Sequence, residues 1–132
     1  MHITKDNIDR FIEGTEMNCR NKGIITHIEF IPEGITHLYC YNNELTSLPK
    51  LPESLTHLYC GDNILTELPK LPNSLIGLYC SNNKLKSLPK LPESLIKLNC
   101  QYNNLTYPIT IDNIKEHNTL IKRKQILSKI CA

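Results

Sequence analysis

Leu55-Thr-His-Leu-Tyr-Cys-Gly-Asp-Asn-Ile-Leu-Thr-Glu-Leu-Pro-Lys-Leu-Pro-Asn-Ser74 is followed at once by Leu75-Ile-Gly-Leu-Tyr-Cys-Ser-Asn-Asn-Lys-Leu-Lys-Ser-Leu-Pro-Lys-Leu-Pro-Glu-Ser94, and 12 of the 20 positions are identical. The row before begins at Ile35. The row after begins at Leu95 and loses the pattern near Pro108. A fixed 20-residue period makes the folding unit a short coil of chain that stacks on copies of itself, because no single row can bury its own leucines.

Each row carries Leu-x-x-Leu-x-Cys-x-x-Asn-x-Leu. Leu58 and Cys60 are two apart, so an extended segment points both to one side, and Leu55 and Leu65 join the same core from the flanking turns. Stacked rows then form a parallel sheet with strands about 4.8 Å apart. Asn43, Asn63, Asn83 and Asn103 fall where the chain leaves the strand, and an inward amide there can bond backbone groups that a turn leaves unpaired. The recurring Leu-Pro-Lys-Leu-Pro cannot lie inside a sheet, since proline lacks the donor. It suits an extended, polyproline-like return on the convex side.

Outward from the repeats, residues 1–30 read as an N-terminal cap, 31–108 as the array and 109–132 as a C-terminal cap. Residues 4–13 have Ile8, Phe11 and Ile12 at helical spacing with Gly14 as a stop, and 23–30 resemble a truncated first strand. Residues 112–131 read as a closing helix. Leu120, Leu127, Ile130 and Cys131 share one of its faces, and Lys115, Lys122 and Lys129 mark the opposite one.

The 132 residues allow about one domain, and 15 Lys and Arg against 13 Asp and Glu give too small a net charge to point to nucleic acid. Neither a secretory signal nor an apolar run long enough to cross a bilayer is present, so a cytoplasmic protein is expected. Lys50, Lys70 and Lys90 form a column diluted by Glu53 and Glu93, which reads as a solvated face, as does Lys122-Arg123-Lys124.

Four of the six cysteines, Cys40, Cys60, Cys80 and Cys100, fall one per row. Neighbouring rows hold their Cβ vectors parallel, whereas a disulfide needs convergence, so the ladder reads as core packing. Cys19 and Cys131 lie outside it and are candidates for partly exposed thiols. His37 and His57 precede Cys40 and Cys60 by three residues, an odd offset that sets imidazole and thiol on opposite faces, so neither a metal site nor a cofactor is expected. No phosphate loop or catalytic constellation stands out.

What remains is the concave sheet face. Alternation sends outward His37, Tyr39 and Tyr41, then His57, Tyr59 and Gly61, then Tyr79, and in the last row Lys97 and Asn99, with Asp62 and Tyr102 at the flank. Tyr39, Tyr59 and Tyr79 stack in one column. Such a column can stabilise the sheet, and it can also supply binding hot spots. Between the two central rows the substitutions Thr56 to Ile76, His57 to Gly77, Gly61 to Ser81 and Asp62 to Asn82 all lie in or beside the strand, while the core residues stay constant.

The Leu-x-x-Leu-x-Cys-x-x-Asn-x-Leu row followed by Leu-Pro-x-Leu-Pro resembles the leucine-rich-repeat family over roughly residues 31–108. Its 20-residue period resembles the short bacterial subclass found in YopM-type and IpaH-type effectors, and its Leu-Tyr-Cys-x-x-Asn-x-Leu variant resembles repeat proteins of giant DNA viruses. The resemblance implies an α/β solenoid with a parallel concave sheet and helical caps. It also implies a non-enzymatic module that binds a protein partner, such as a host protein in the host cytoplasm, through the concave residues. The ligase domain of IpaH-type effectors would find no room in the residues after Pro108. The alternatives are a self-associating structural protein and, behind it, a thiol or metal protein.

Overall fold

The computed structural model describes residues 1–131, with side chains described through Ile130. The elements are β1 (His2–Ile3), a 3-10 turn (Ile8–Phe11), β2 (Ile12–Glu13), β3 (Glu16–Asn18), β4 (His27–Ile28), β5 (His37–Tyr39), β6 (His57–Tyr59), β7 (Gly77–Tyr79) and β8 (Lys97–Asn99). A second 3-10 turn (Ile111–Asn113) then leads into α1 (Ile114–Cys131). The chain is a solenoid whose main sheet runs β2-β3-β5-β6-β7-β8, parallel from β3 onward.

The register aligns Met17, Leu38, Leu58, Leu78 and Leu98 in one line. Leu38, Leu58 and Leu78 are completely buried, together with Cys40, Cys60, Cys80, Leu45, Leu65 and Leu85. On the convex side Leu48, Leu51, Leu68, Leu71, Leu88 and Leu91 close the same core. The prolines there sit outside the sheet, and each return ends in a tight turn in which Leu55, Leu75 or Leu95 N–H donates to the carbonyl of Pro52, Pro72 or Pro92.

Asn63 shows how each row is pinned to its neighbours. Its amide donates to the carbonyls of Cys40, Cys60 and Gly61 at 3.1–3.2 Å, and its Oδ1 accepts from Leu45 N–H at 3.0 Å. Asn43 and Asn83 repeat the arrangement and are buried, and Asn103 makes it at the last row while partly exposed. One residue upstream the chain turns through positive φ at Asn42, Asp62, Asn82 and Tyr102, with φ of 52–61°.

The N-terminal end departs from the sequence expectation in three ways. Residues 4–13 do not form a helix: Ile8–Phe11 make one 3-10 turn, and Ile12–Glu13 pair antiparallel with Glu16–Asn18 in a hairpin that turns at Gly14, φ +61°. A two-turn helix is marginal alone, whereas the hairpin seals the first edge of the sheet. The first parallel strand of the main sheet is therefore Glu16–Asn18 rather than a segment of 23–30, and β4 lies outside that sheet, paired with β1. Cys19 belongs to the ladder and is completely buried, not partly exposed. Met17 and Cys19 stand 21 residues before Leu38 and Cys40, while Ile25 stands 20 before Leu45. One extra residue near Gly23, φ +66°, shifts the first row out of step.

The C-terminal helix is present, but it docks on a different face from the one expected. Leu120, Leu127 and Ile130 are exposed, and contact runs through Ile114, His117, Asn118 and the half-buried Ile121. The convex return of the row that begins at Leu75 leaves backbone groups without a sheet partner. Asn118 Oδ1 accepts from Leu91 N–H, its amide donates to Leu91 C=O, and His117 Nε2–H donates to Pro89 C=O. Cys131, placed on the apolar face and read as a candidate partly exposed thiol, has a side chain outside the described residues.

Candidate functional site

Strand alternation fixes which side chains reach the concave face, and the stacking of rows fixes their spacing. Tyr39 and Tyr59 stack with ring centroids 4.8 Å apart and 10° between planes, and Tyr59 and Tyr79 stack at 4.6 Å and 2°. His37 and His57 form a second stack at 4.5 Å and 7°, lying 6.2–6.3 Å from the tyrosines of their own strands. All five rings are half-buried. Because each ring covers the face of the next, the column offers ring edges and phenol oxygens to solvent.

The His column ends at Gly77. A Cβ there would lie 3.0 Å from Tyr79 Cε2 and 3.1 Å from His57 Cδ2, so both rings lean over the glycine and would have to give way to a side chain. In the last row Lys97 and Asn99 are exposed, and Tyr41 is half-buried at the flank. Asp62 lies on the positive-φ turn, where its Oδ1 accepts from the Asn82 amide at 2.6 Å. Tyr102 occupies the equivalent turn position at φ +58° and is 79% exposed, a conformation that bulky residues rarely hold.

Arg20 joins this surface, although sequence periodicity did not place it there. Its guanidinium carbon lies 5.6 Å from the Tyr39 ring centre and 5.9 Å from that of Tyr41, closing the stack at the N-terminal end. Glu16 and Asn18 enter from the same first strand. The signal was Met17-x-Cys19 before Arg20, hidden by the extra residue near Gly23.

The protonation of His57 follows from its threonine neighbour. Thr56 donates its hydroxyl proton to the Thr36 carbonyl at 3.0 Å, so its oxygen accepts from His57 Nδ1–H at 2.9 Å. Nε2 of the neutral His57 imidazole is then an acceptor. Thr36 Oγ1 lies 2.9 Å from His37 Nδ1 and 2.9 Å from Thr15 Oγ1. The two rings are nearly parallel, so their Nε2 atoms run side by side and do not converge on one metal ion. Burial, then His37 and Lys97, holds His57 below its ordinary pKa of 6.5.

Behind the sheet the thiols are packing atoms. Burial pushes Cys40 and Cys60 well above their ordinary value of 9.0 and Cys19 up to about 12, which keeps them protonated and unreactive. They lie on the face opposite His37 and His57. Among the described residues no three His, Cys, Asp or Glu side chains converge on a metal-sized site. Between α1 and the last row is a cleft of about 230 Å³, whose His117 is tied at both nitrogens, to Tyr107 and to Pro89. No described helix is long and apolar enough to cross a membrane.

No family model and no curated protein sequence matches the chain. Solved structures do. YopM from Yersinia enterocolitica WA-314 superposes with a TM-score of 0.66 at 33% identity, over 78% of this chain and 27% of that one. A Shigella effector leucine-rich-repeat domain gives 0.55 at 30% identity over 80% of this chain and 56% of that one. YopM from Yersinia pestis, described as a leucine-rich effector protein, gives 0.57 at 43% identity over 65% and 26%. The chain thus spans about half or less of the length of each of these structures.

Proposed function

The chain is a leucine-rich-repeat solenoid of the short, 20-residue kind seen in these effector domains, and from that premise we propose that it is a non-enzymatic module that binds a protein of a host cell through its concave sheet. The observation that carries the proposal is the paired aromatic stack. Five rings sit half-exposed on a rigid sheet, where a partner meets them already ordered and little side-chain entropy is lost on contact.

Each group on the face has a defined part. Tyr39, Tyr59 and Tyr79 supply contact area and phenol hydroxyls, the tyrosine pattern typical of hot spots. His57 supplies an Nε2 acceptor, and His37 a second imidazole edge. Tyr41, Asp62, Asn99, Tyr102 and Lys97 form a polar and aromatic rim that excludes water and selects partners by charge. The convex side offers the exposed Lys50, Lys70 and Lys90 with the single Phe30 in place of a stacked aromatic column, which makes it the weaker candidate.

Affinity capture from host cytosol, read by mass spectrometry, tests this when wild type and Tyr59→Ala are run side by side. Proteins retained by the wild type should be lost or strongly depleted with the variant. A set of captured proteins identical for the two would contradict binding through the sheet.

A further inference from the structure

The two ends of the solenoid are finished differently. At the N-terminal end β2 covers the edge of β3. At the other end no strand among the described residues pairs with the outer edge of β8, and α1 packs away from that edge, on the return around Pro89–Leu91. Residues that earlier rows bury come to the surface here. Leu98 and Leu105 are partly exposed where Leu58, Leu78, Leu65 and Leu85 are completely buried, and Ile96 is 66% exposed.

The earlier rows show which backbone groups of β8 face outward. Thr36, Thr56 and Ile76 each accept through their carbonyl from the next row, at Thr56, Ile76 and Ile96, and Cys40, Cys60 and Cys80 each donate forward to Tyr59, Tyr79 and Asn99. The same positions in the last row are the Ile96 carbonyl and the Cys100 N–H. In a strand, alternate residues direct their N–H and C=O to the same side, so both groups of Leu98 face that edge as well.

From this geometry we propose that β8 is a dimerisation edge, pairing antiparallel with β8 of a second copy about a two-fold axis at Leu98. The outward N–H and C=O of Leu98 are what a two-fold hydrogen-bonded pair requires, each copy donating to and accepting from the other. The register sets Lys97 opposite Asn99 of the second copy and Ile96 opposite Cys100, so no like charges face each other and the exposed isoleucines are covered. Head-to-tail stacking would have to pair β8 with β2, the two-residue strand at the other edge of the sheet, and so offers a shorter ladder than β8 against β8. The pairing closes at two copies, leaves both concave faces open, and joins them into one continuous sheet.

Sedimentation velocity over a concentration series tests the edge, with charge variants at an exposed position. The wild type should pass from monomer to dimer and stop there. Asn99→Glu places two symmetric ion pairs with Lys97 across the axis and should tighten the dimer, whereas Asn99→Lys should weaken it, each by about 2- to 30-fold in Kd. Ile96→Asp, at a site too exposed to affect folding, should abolish the dimer while leaving the circular dichroism spectrum unchanged. A protein that stays monomeric to its solubility limit overturns the proposal. So does growth beyond two copies, or a Kd that the two Asn99 variants leave unchanged or shift in the same direction.

Discussion

Within a single row, the inward and outward side chains answer to different demands. Leu58, Cys60, Asn63 and Leu65 are buried and recur in the neighbouring rows, because each must fit between identical neighbours 20 residues away on either side. His57, Tyr59, Gly61 and Asp62 lie on the sheet face or its flank, and at three of these four positions the following row differs. The inner set carries the stability of the solenoid. The outer set is constrained by contact with the next ring and, at Asp62, by the positive-φ turn, which leaves it more room than the inner set to be shaped by a partner.

The contrast is broken most strongly by Asn63→Ala. The substitution removes one carboxamide that holds four backbone groups of two rows, and should cost about 2–4 kcal/mol in urea denaturation, with any remaining folded protein still binding. Tyr59→Ala should show the opposite profile, losing about 1 kcal/mol of stability and about 2 kcal/mol or more of partner binding. Equal losses of stability from the two changes would erase the distinction between the faces.

Tyr102 sharpens the comparison from the other side. Its row equivalents at the positive-φ turn are Asn42, Asp62 and Asn82, residues that tolerate that conformation. Tyr102→Asn should therefore raise stability by about 1 kcal/mol, measured by thermal melting, while weakening partner binding. The smallest effect concerns His57. Its pKa is lowered in the folded protein, so the unfolded chain takes up the proton more readily, and its contribution is complete above 6.5 and lost as the pH falls below it. Between about pH 7.5 and 5.5 the wild type should lose more thermal stability than His57→Gln.

The solenoid was legible wherever the period held. Rows starting at Ile35, Leu55, Leu75 and Leu95 follow from leucine, cysteine and asparagine at constant spacing, and the backbone has no other way to bury them. The first row escaped because one added residue near Gly23 changes a spacing of 20 to 21, so Cys19 and Arg20 fell outside a search at fixed period. The helical spacing of Ile8, Phe11 and Ile12 was real, but sheet-edge pairing outweighed it over so short a segment. For α1, apolar periodicity pointed to Leu120 and Leu127. The docking surface offered unpaired backbone groups instead, and His117 and Asn118 answered them. On the sheet face, sequence supplied the column of tyrosines, but not the ring geometry, the threonine-fixed imidazoles or the guanidinium of Arg20.

Isothermal titration of a captured partner against two triple variants tests the central claim most directly. One replaces Tyr39, Tyr59 and Tyr79 with alanine, and the other replaces the convex Lys50, Lys70 and Lys90. The tyrosine variant should weaken binding by about 30-fold or more while the lysine variant stays within about threefold of wild type. Binding that survives loss of the tyrosines, or that fails with loss of the lysines, would contradict recognition through the concave sheet.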